Sequence, residues 1–360
     1  MTAPQDKPVD ASRDNNFDAL RFLGALLVFV SHATFVPTGT LDADPLYALS
    51  GGQMTIGWIG VGLFFVVSGY LITQSWERRH GLVPFLRARA VRIYPALIVV
   101  VLAIFLIGGL ISTAPNYFTN PGALSYLGNI LVPFSQNHLP GVFQHPMPST
   151  GVSDNFWTLR YEIGCYVLLA LMGSLRVWRR DTVLVLFLLM SFLFAVGGSA
   201  TNNGWFDLPR YFVAGSLVYL YRDRIRFTWP LALLALAALT LTVFTGGMKL
   251  GFSVFGTYLV LALAFARGPL ARMGLPRFGK YGDFSYGLYL VGLFTQQLVQ
   301  RQYPNLDAFG NFILAFPIAL AVAVGLWYVV EKPALALKGG RPRGAAPTPA
   351  RVPVETSRRP

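Results

Sequence analysis

The sequence predicts an all-α fold, a polytopic membrane bundle of about ten helices, on three observations. Of 360 residues, 54% are hydrophobic and only 12% are charged, against about 25% charged in an ordinary soluble domain. Apolar runs of roughly 17 to 25 residues, long enough to cross a bilayer as helix, recur along the chain. The cations that remain gather on one side of the topology those runs define, as membrane insertion requires.

The runs fall at residues 17–36, 58–76, 93–113, 156–175, 183–200, 208–221, 229–245, 251–266, 284–303 and 312–331. The first is span-length and lacks a small-residue cleavage site, so it is expected to stay as a helix instead of being removed as a leader. The sixth and eighth are the shortest. Residues 1–16 are expected to be a cytoplasmic segment and 17–337 the transmembrane domain. From 338 the chain turns Pro- and Arg-rich, "GGRPRGAAPTPARVPVETSRRP", too poor in large apolar residues to pack. It reads as a disordered basic cytoplasmic tail. Residues 114–155 lack Lys and Arg, are rich in Pro, Gly and Asn, and form a long outward loop in which "LGNILVPF" suits a re-entrant or surface helix.

A net charge of +13 raises the question of nucleic acid. With both termini cytoplasmic, 24 of the 29 Lys and Arg residues fall on that side and two, Lys249 and Arg301, on the other. Arg21, Arg160 and Arg210 lie within spans or at their edges. The charge therefore describes topology, and no nucleic-acid partner is expected. A lone cysteine, Cys165, lies inside a span and excludes an intrachain disulfide.

Ionisable groups inside a bilayer cost several kcal/mol and point to function. Arg21 and His32 are 11 residues apart, close to three helical turns, so they share one helix face about 16 Å apart along the axis. The plainer reading has Arg21 snorkelling to the headgroups and His32 hydrogen-bonding at the outer interface. Glu162, in "DNFWTLRYEIGCYVLL", sits at a depth similar to His32, where a carboxylate suits orienting an imidazole base. Its structural alternative is an ion pair with Arg210. In "FLRARAVRIYPALIVV", Arg89 and Arg92 share a face, Arg87 is near, and Tyr94 precedes Pro95 at the membrane boundary. Such arginines suit phosphates, although basic flanks also satisfy the topology rule. In "WIGVGLFFVVSGYLITQSW", Ser68 is a possible nucleophile, but small residues at 57, 60, 62, 68 and 69 suit close helix packing. His32, His138 and His145 match no standard metal-ligand spacing, so no metal is expected.

Taken together, "NNFDALRFLGALLVFVSHA", "GVGLFFVVSGYLIT", "FLRARAVRIYP", "NFWTLRYEI", "FSYGLYL" and "VEKP" resemble, in order and spacing, the membrane-bound acyltransferase-3 family. The resemblance covers most of the chain. It implies a bundle of ten or so helices that transfers an acyl group, taken as acetyl, from acyl-CoA to a hydroxyl. It implies that His32 is catalytic with Arg21, that Arg89 and Arg92 serve the acyl donor, and that Trp157 and Glu162 are the family's fourth-span tryptophan and acid. Where many members carry a histidine after the Tyr-rich motif, this chain has Gly292. Chain size and the "LPGVF" loop look like stand-alone members that acetylate exported polysaccharide.

The expectation is therefore an inner-membrane enzyme using acetyl-CoA from the cytoplasm and a glycan or lipid-linked sugar as acceptor. The donor's phosphates rest on Arg87, Arg89 and Arg92 beside Tyr94, and His32, oriented by Glu162, deprotonates the acceptor. Trp157, Arg160, Arg210 and Ser68 are candidates for substrate contact. An acyl-enzyme on His32 or Ser68, acylation of a small molecule such as a macrolide, and a glycan transporter or flippase are the competing readings.

Overall fold

The computed structural model describes residues 15–78, 81–143, 151–197, 204–266 and 275–337. Every apolar run is a helix: α1 Phe17–Thr38, α2 Ile56–Arg78, α3 Leu82–Ile111, α4 Trp157–Ser174, α5 Arg180–Gly197, α6 Leu208–Leu220, α7 Trp229–Thr245, α8 Met248–Phe265, α9 Ser285–Gln302 and α10 Ala308–Ala336. Among the described residues there is no β-strand, only an isolated bridge between His138 and Gly151. His145 and the tail 338–360 lie outside the described residues.

Among the described residues, six helices are long and apolar enough to cross a membrane: α1, α2, α3, α5, α8 and α10. The expected count of about ten spans is thus not reached by length and hydropathy, for physical reasons. Helix α6 has 13 residues and α7 has 17. Helix α4 carries Arg160 and Glu162, and α9 carries Gln296, Gln297 and Gln300.

Those glutamines face protein, not lipid. Nearly all of α9 is buried, and each amide is committed: Gln296 donates to the Phe29 carbonyl (2.9 Å), Gln297 to that of Gly151 (2.9 Å) and Gln300 to that of Pro304 (3.0 Å). Buried polar groups are tolerated on these terms. At the periphery, α7 buries only Ala232 and Ala235, and α5 only Val183 and Met190.

Helices α1 and α6 pack closely on α2 because glycines let their backbones approach. A Cβ on Gly60 of α2 would lie 2.4 Å from the Gly24 carbonyl oxygen of α1, and one on Gly69 only 1.9 Å from the Phe212 oxygen of α6. Reciprocally, Gly215 of α6 faces the Val66 oxygen at 2.1 Å. The packing reading of the small residues therefore holds at 57, 60, 62 and 69. Ser68 differs: its hydroxyl lies 3.1 Å from that of Tyr166.

Helix α3 begins eleven residues before the expected 93 and runs through Pro95. A proline is tolerated within a membrane helix when its neighbours satisfy the freed carbonyl. The long loop that follows turns back beside α3. The helix Pro121–Tyr126 leads into a turn at Leu127–Ile130, and Tyr94 Oη donates to the Leu131 carbonyl (3.3 Å). Tyr94 lies 17 residues before the end of α3, roughly 25 Å of helix, so this stretch folds back along more than half the length of α3. Leu131 and Val132 at its tip are 76% and 60% exposed. Buried Asn129 binds the loop backbone, donating to Tyr126 O (2.9 Å) and accepting from Ser135 N (3.0 Å), which is what non-helical backbone needs at membrane depth.

Candidate active site

On α1, Gly24, Leu27, Val28 and Ser31 press against glycines of α2, while Phe29 meets Gly292 of α9 and Phe312 and Phe316 of α10. At about 100° per residue, Arg21 and His32 fall between these two faces. Arg21 lines the groove bounded by α2, α4 and α9. His32 is half-buried and makes no hydrogen bond to any described residue.

Two cavities lie in the groove at different depths. The inner one, about 40 Å³, is lined by Arg21, by Val61, Phe64, Phe65 and Ser68 of α2, by Thr158, Leu159 and Glu162 of α4, and by Tyr286 and Tyr289 of α9. That is several times the space one water needs and far too little for a nucleotide. The outer one, about 470 Å³, is lined by Tyr47, Gln53, Trp58, Phe134, Trp157, Arg160, Tyr161 and Lys249 among others. Trp58 and Val61 are one turn apart on α2, and Trp157 and Arg160 alternate with Thr158 and Glu162 on α4. The cavities therefore stack along one interface. The Trp58 and Trp157 rings, 5.5 Å apart, stand at the boundary.

In the inner cavity the Glu162 carboxylate accepts the Tyr166 hydroxyl, and Tyr166 Oη lies 3.1 Å from Ser68 Oγ. Glu162 and His32 are not in hydrogen-bond contact, and Glu162 does not pair with Arg210. Arg210, fully buried, is bound to Asp207 at 2.9 Å and to the Lys249 carbonyl at 3.2 Å. Its role is to hold α6 to the start of α8. Ser68 is a cavity residue with a hydroxyl partner, and among the described residues neither a histidine nor a lysine hydrogen-bonds to it.

At the basic end of the groove, Asp283 receives both Arg21 and Arg92, and Arg92 also reaches Glu331 at 3.1 Å. Gly282 sets Asp283 in place: its φ is +146°, and a Cβ there would meet Trp327 Nε1 at 2.3 Å, so no larger residue fits. Burial pushes the Asp283 carboxyl up, but the Arg21 and Arg92 guanidiniums and the hydrogen bonds from Ser285 outweigh it and hold it at about 2.

The arginines expected to act as one phosphate cradle are divided. Arg92 is committed to two carboxylates, Arg89 is half-buried with its guanidinium 5.9 Å above the Phe85 ring, and Arg87 is exposed. Tyr94 serves the loop that folds back along α3. Sequence reasoning missed Asp283, Glu331 and Tyr166. Asp283 and Glu331 stood in plain sight, one just before "FSYGLYL" and the other inside "VEKP".

At the outer cavity, Arg160 donates to Tyr161 Oη (2.8 Å), and its guanidinium lies 4.8 Å from the Tyr161 ring and 5.3 Å from that of Phe134. Phe134 has φ +63°, a left-handed conformation that bulky residues rarely adopt and that clusters at functional sites. Lys249 Nζ sits 4.1 Å over Trp58 and 3.1 Å from Asp207.

The acyltransferase domain family matches residues 14–332 of the chain. The protein belongs to the acyltransferase-3 family. A protein named O-acetyl transferase from Shigella phage Sf6 is 24% identical over 342 residues, 89% of this chain and 96% of the relative. Nodulation protein 10 of Rhizobium leguminosarum bv. viciae is 28% identical over 365 residues, 90% of this chain and 94% of its own. Exopolysaccharide production protein ExoZ of Rhizobium meliloti (strain 1021) is 29% identical over 326 residues, 82% and 94% respectively. No solved structure matches. The chain is a membrane O-acyltransferase, which sets the transporter reading aside.

Proposed function

We propose that this acyltransferase-3 protein moves an acetyl group from acetyl-CoA, supplied by the cytoplasm, to a sugar hydroxyl of an exported polysaccharide. In this reading it is an inner-membrane enzyme with both termini cytoplasmic, and it uses no metal. The single observation that carries it is the pair of cavities stacked in one groove, with Arg21 at the basic end and His32 on the same sector of α1. The names of the relatives from Shigella phage Sf6 and Rhizobium meliloti point to acetyl and to polysaccharide.

The chemistry follows from what each group does best. The acceptor hydroxyl enters from the side bearing Trp157 and Arg160. The thioester arm enters from the basic side, its nucleotide held near the surface by exposed Arg87 and by Arg89 farther in. His32, whose unperturbed pKa lies near neutrality, takes the hydroxyl proton as the oxygen attacks the thioester carbonyl. The tetrahedral adduct then collapses, the C–S bond breaks, and the imidazolium returns the proton to the departing thiolate. Glu162, held by Tyr166, supplies negative charge to the groove opposite the forming imidazolium.

Radiolabelled acetyl-CoA and a bacterial exopolysaccharide, mixed with purified protein in detergent, test this directly because transfer needs no compartments. Label should pass to the glycan with wild type and fall to background with His32→Ala at unchanged expression and gel-filtration behaviour. A fully active His32→Ala protein overturns the assignment.

A further inference from the structure

The outer cavity is built with charge of one sign. Arg160 and Lys249 line it and no carboxylate does. The undescribed segments beside it in sequence, 144–150 and 198–203, contain no Asp or Glu either. Lys249 and Arg210 share one carboxylate, Asp207, so even that neighbouring trio leaves an excess of one positive charge. Arg160 has no acidic partner among the described residues. Among the described residues its guanidinium donates to the neutral Tyr161 hydroxyl, and its buried Nε meets no partner there.

A cation fixed between two rings on the wall of a cavity of about 470 Å³, with no carboxylate lining that cavity, is left uncompensated until an anion completes it. The other walls suit a sugar: the indole of Trp157, the ring of Tyr47 and the hydroxyl of Thr55. Aromatic faces take the apolar faces of a pyranose, and the hydroxyl meets its oxygens.

We propose that the acceptor is an acidic glycan: a sugar carboxylate docks on the Arg160 fork, with Lys249 adding to the field, beside the hydroxyl that is acylated. This rests on the function proposed above and adds the charge class of the substrate. A planar carboxylate matches the two parallel donors of a guanidinium. A phosphate on the glycan presents related chemistry and is one arm of the test.

Oligosaccharides from a glucuronate-containing exopolysaccharide are compared with the same oligosaccharides after reduction of the carboxyl to a hydroxymethyl group, and with a phosphorylated set. Wild type should prefer the glucuronate form by about tenfold to a hundredfold in kcat/KM, the range of one charge-assisted hydrogen-bonded contact. Arg160→Gln should collapse that preference toward unity, and Arg160→Lys, which keeps the charge without the fork, should retain part of it. Equal use of both forms by wild type, a preference that survives Arg160→Gln, or preference for the phosphorylated set alone overturns the acidic-sugar assignment while leaving glycan acylation standing. Transfer to none of the three sets, with acetyl-CoA present, removes the proposed function and this inference with it.

Discussion

Asp283 binds together three elements that the sequence separates widely: α1 through Arg21, α3 through Arg92, and the start of α9 through Ser285. Replacing it with Asn keeps the shape and removes the charge. Its carboxyl is held at about 2 against an ordinary 3.8, a depression worth about 2 kcal/mol at neutral pH. At about 2 °C per kcal/mol for a chain of this size, Asp283→Asn should lower the thermal midpoint in detergent by roughly 5 °C. Because the folded-state pKa is depressed, the stabilisation is complete above about pH 4 and is lost as pH falls through about 2. There the protonated wild-type residue and the variant become equivalent. Scanning fluorimetry of both proteins from pH 7 to pH 2 should show a gap that closes at the acid end. A gap that persists at pH 2, or none at pH 7, refutes the bridging role.

Gly69→Ala should destabilise by about 1–3 kcal/mol or more, since the new methyl falls on the Phe212 backbone. Gly325→Ala, with open space around it, should be neutral or slightly stabilising, both variants being read by temperature-stepped gel filtration. Arg210→Met should cost about 3–5 kcal/mol by stranding part of the buried Asp207 charge, read as loss of monodisperse protein after mild heating. Tyr166→Phe removes the hydroxyl between Glu162 and Ser68, and kcat should fall about tenfold or more with the acyl-donor KM little changed. A proportional rise in that KM would assign Tyr166 to donor binding instead.

The helices were legible because each is an apolar run bounded by loops. The reading of 229–245 coincides with Trp229–Thr245, and 208–221 differs from Leu208–Leu220 by one residue. Where it went astray, polarity was the cause: Arg89 and Arg92 made the first third of α3 look like a boundary, whereas Arg92 is turned inward onto Asp283 and Glu331. Helical periodicity correctly placed Arg21 and His32 on one sector. Depth alone suggested that Glu162 touches His32, and Tyr166 holds that carboxylate instead. Pairing of Arg92 with partners 191 and 239 residues away has no local signature. An acidic residue at the mouth of a span looks like ordinary flanking polarity until the fold brings the guanidiniums to it.

The paired indoles of Trp58 and Trp157 have a further consequence. An activated acyl group brought within reach of an aqueous chamber is liable to be hydrolysed before the intended hydroxyl arrives. Two indoles tilted 35° to each other on the chamber wall set apolar surface there, which thins the water standing beside a transferred group.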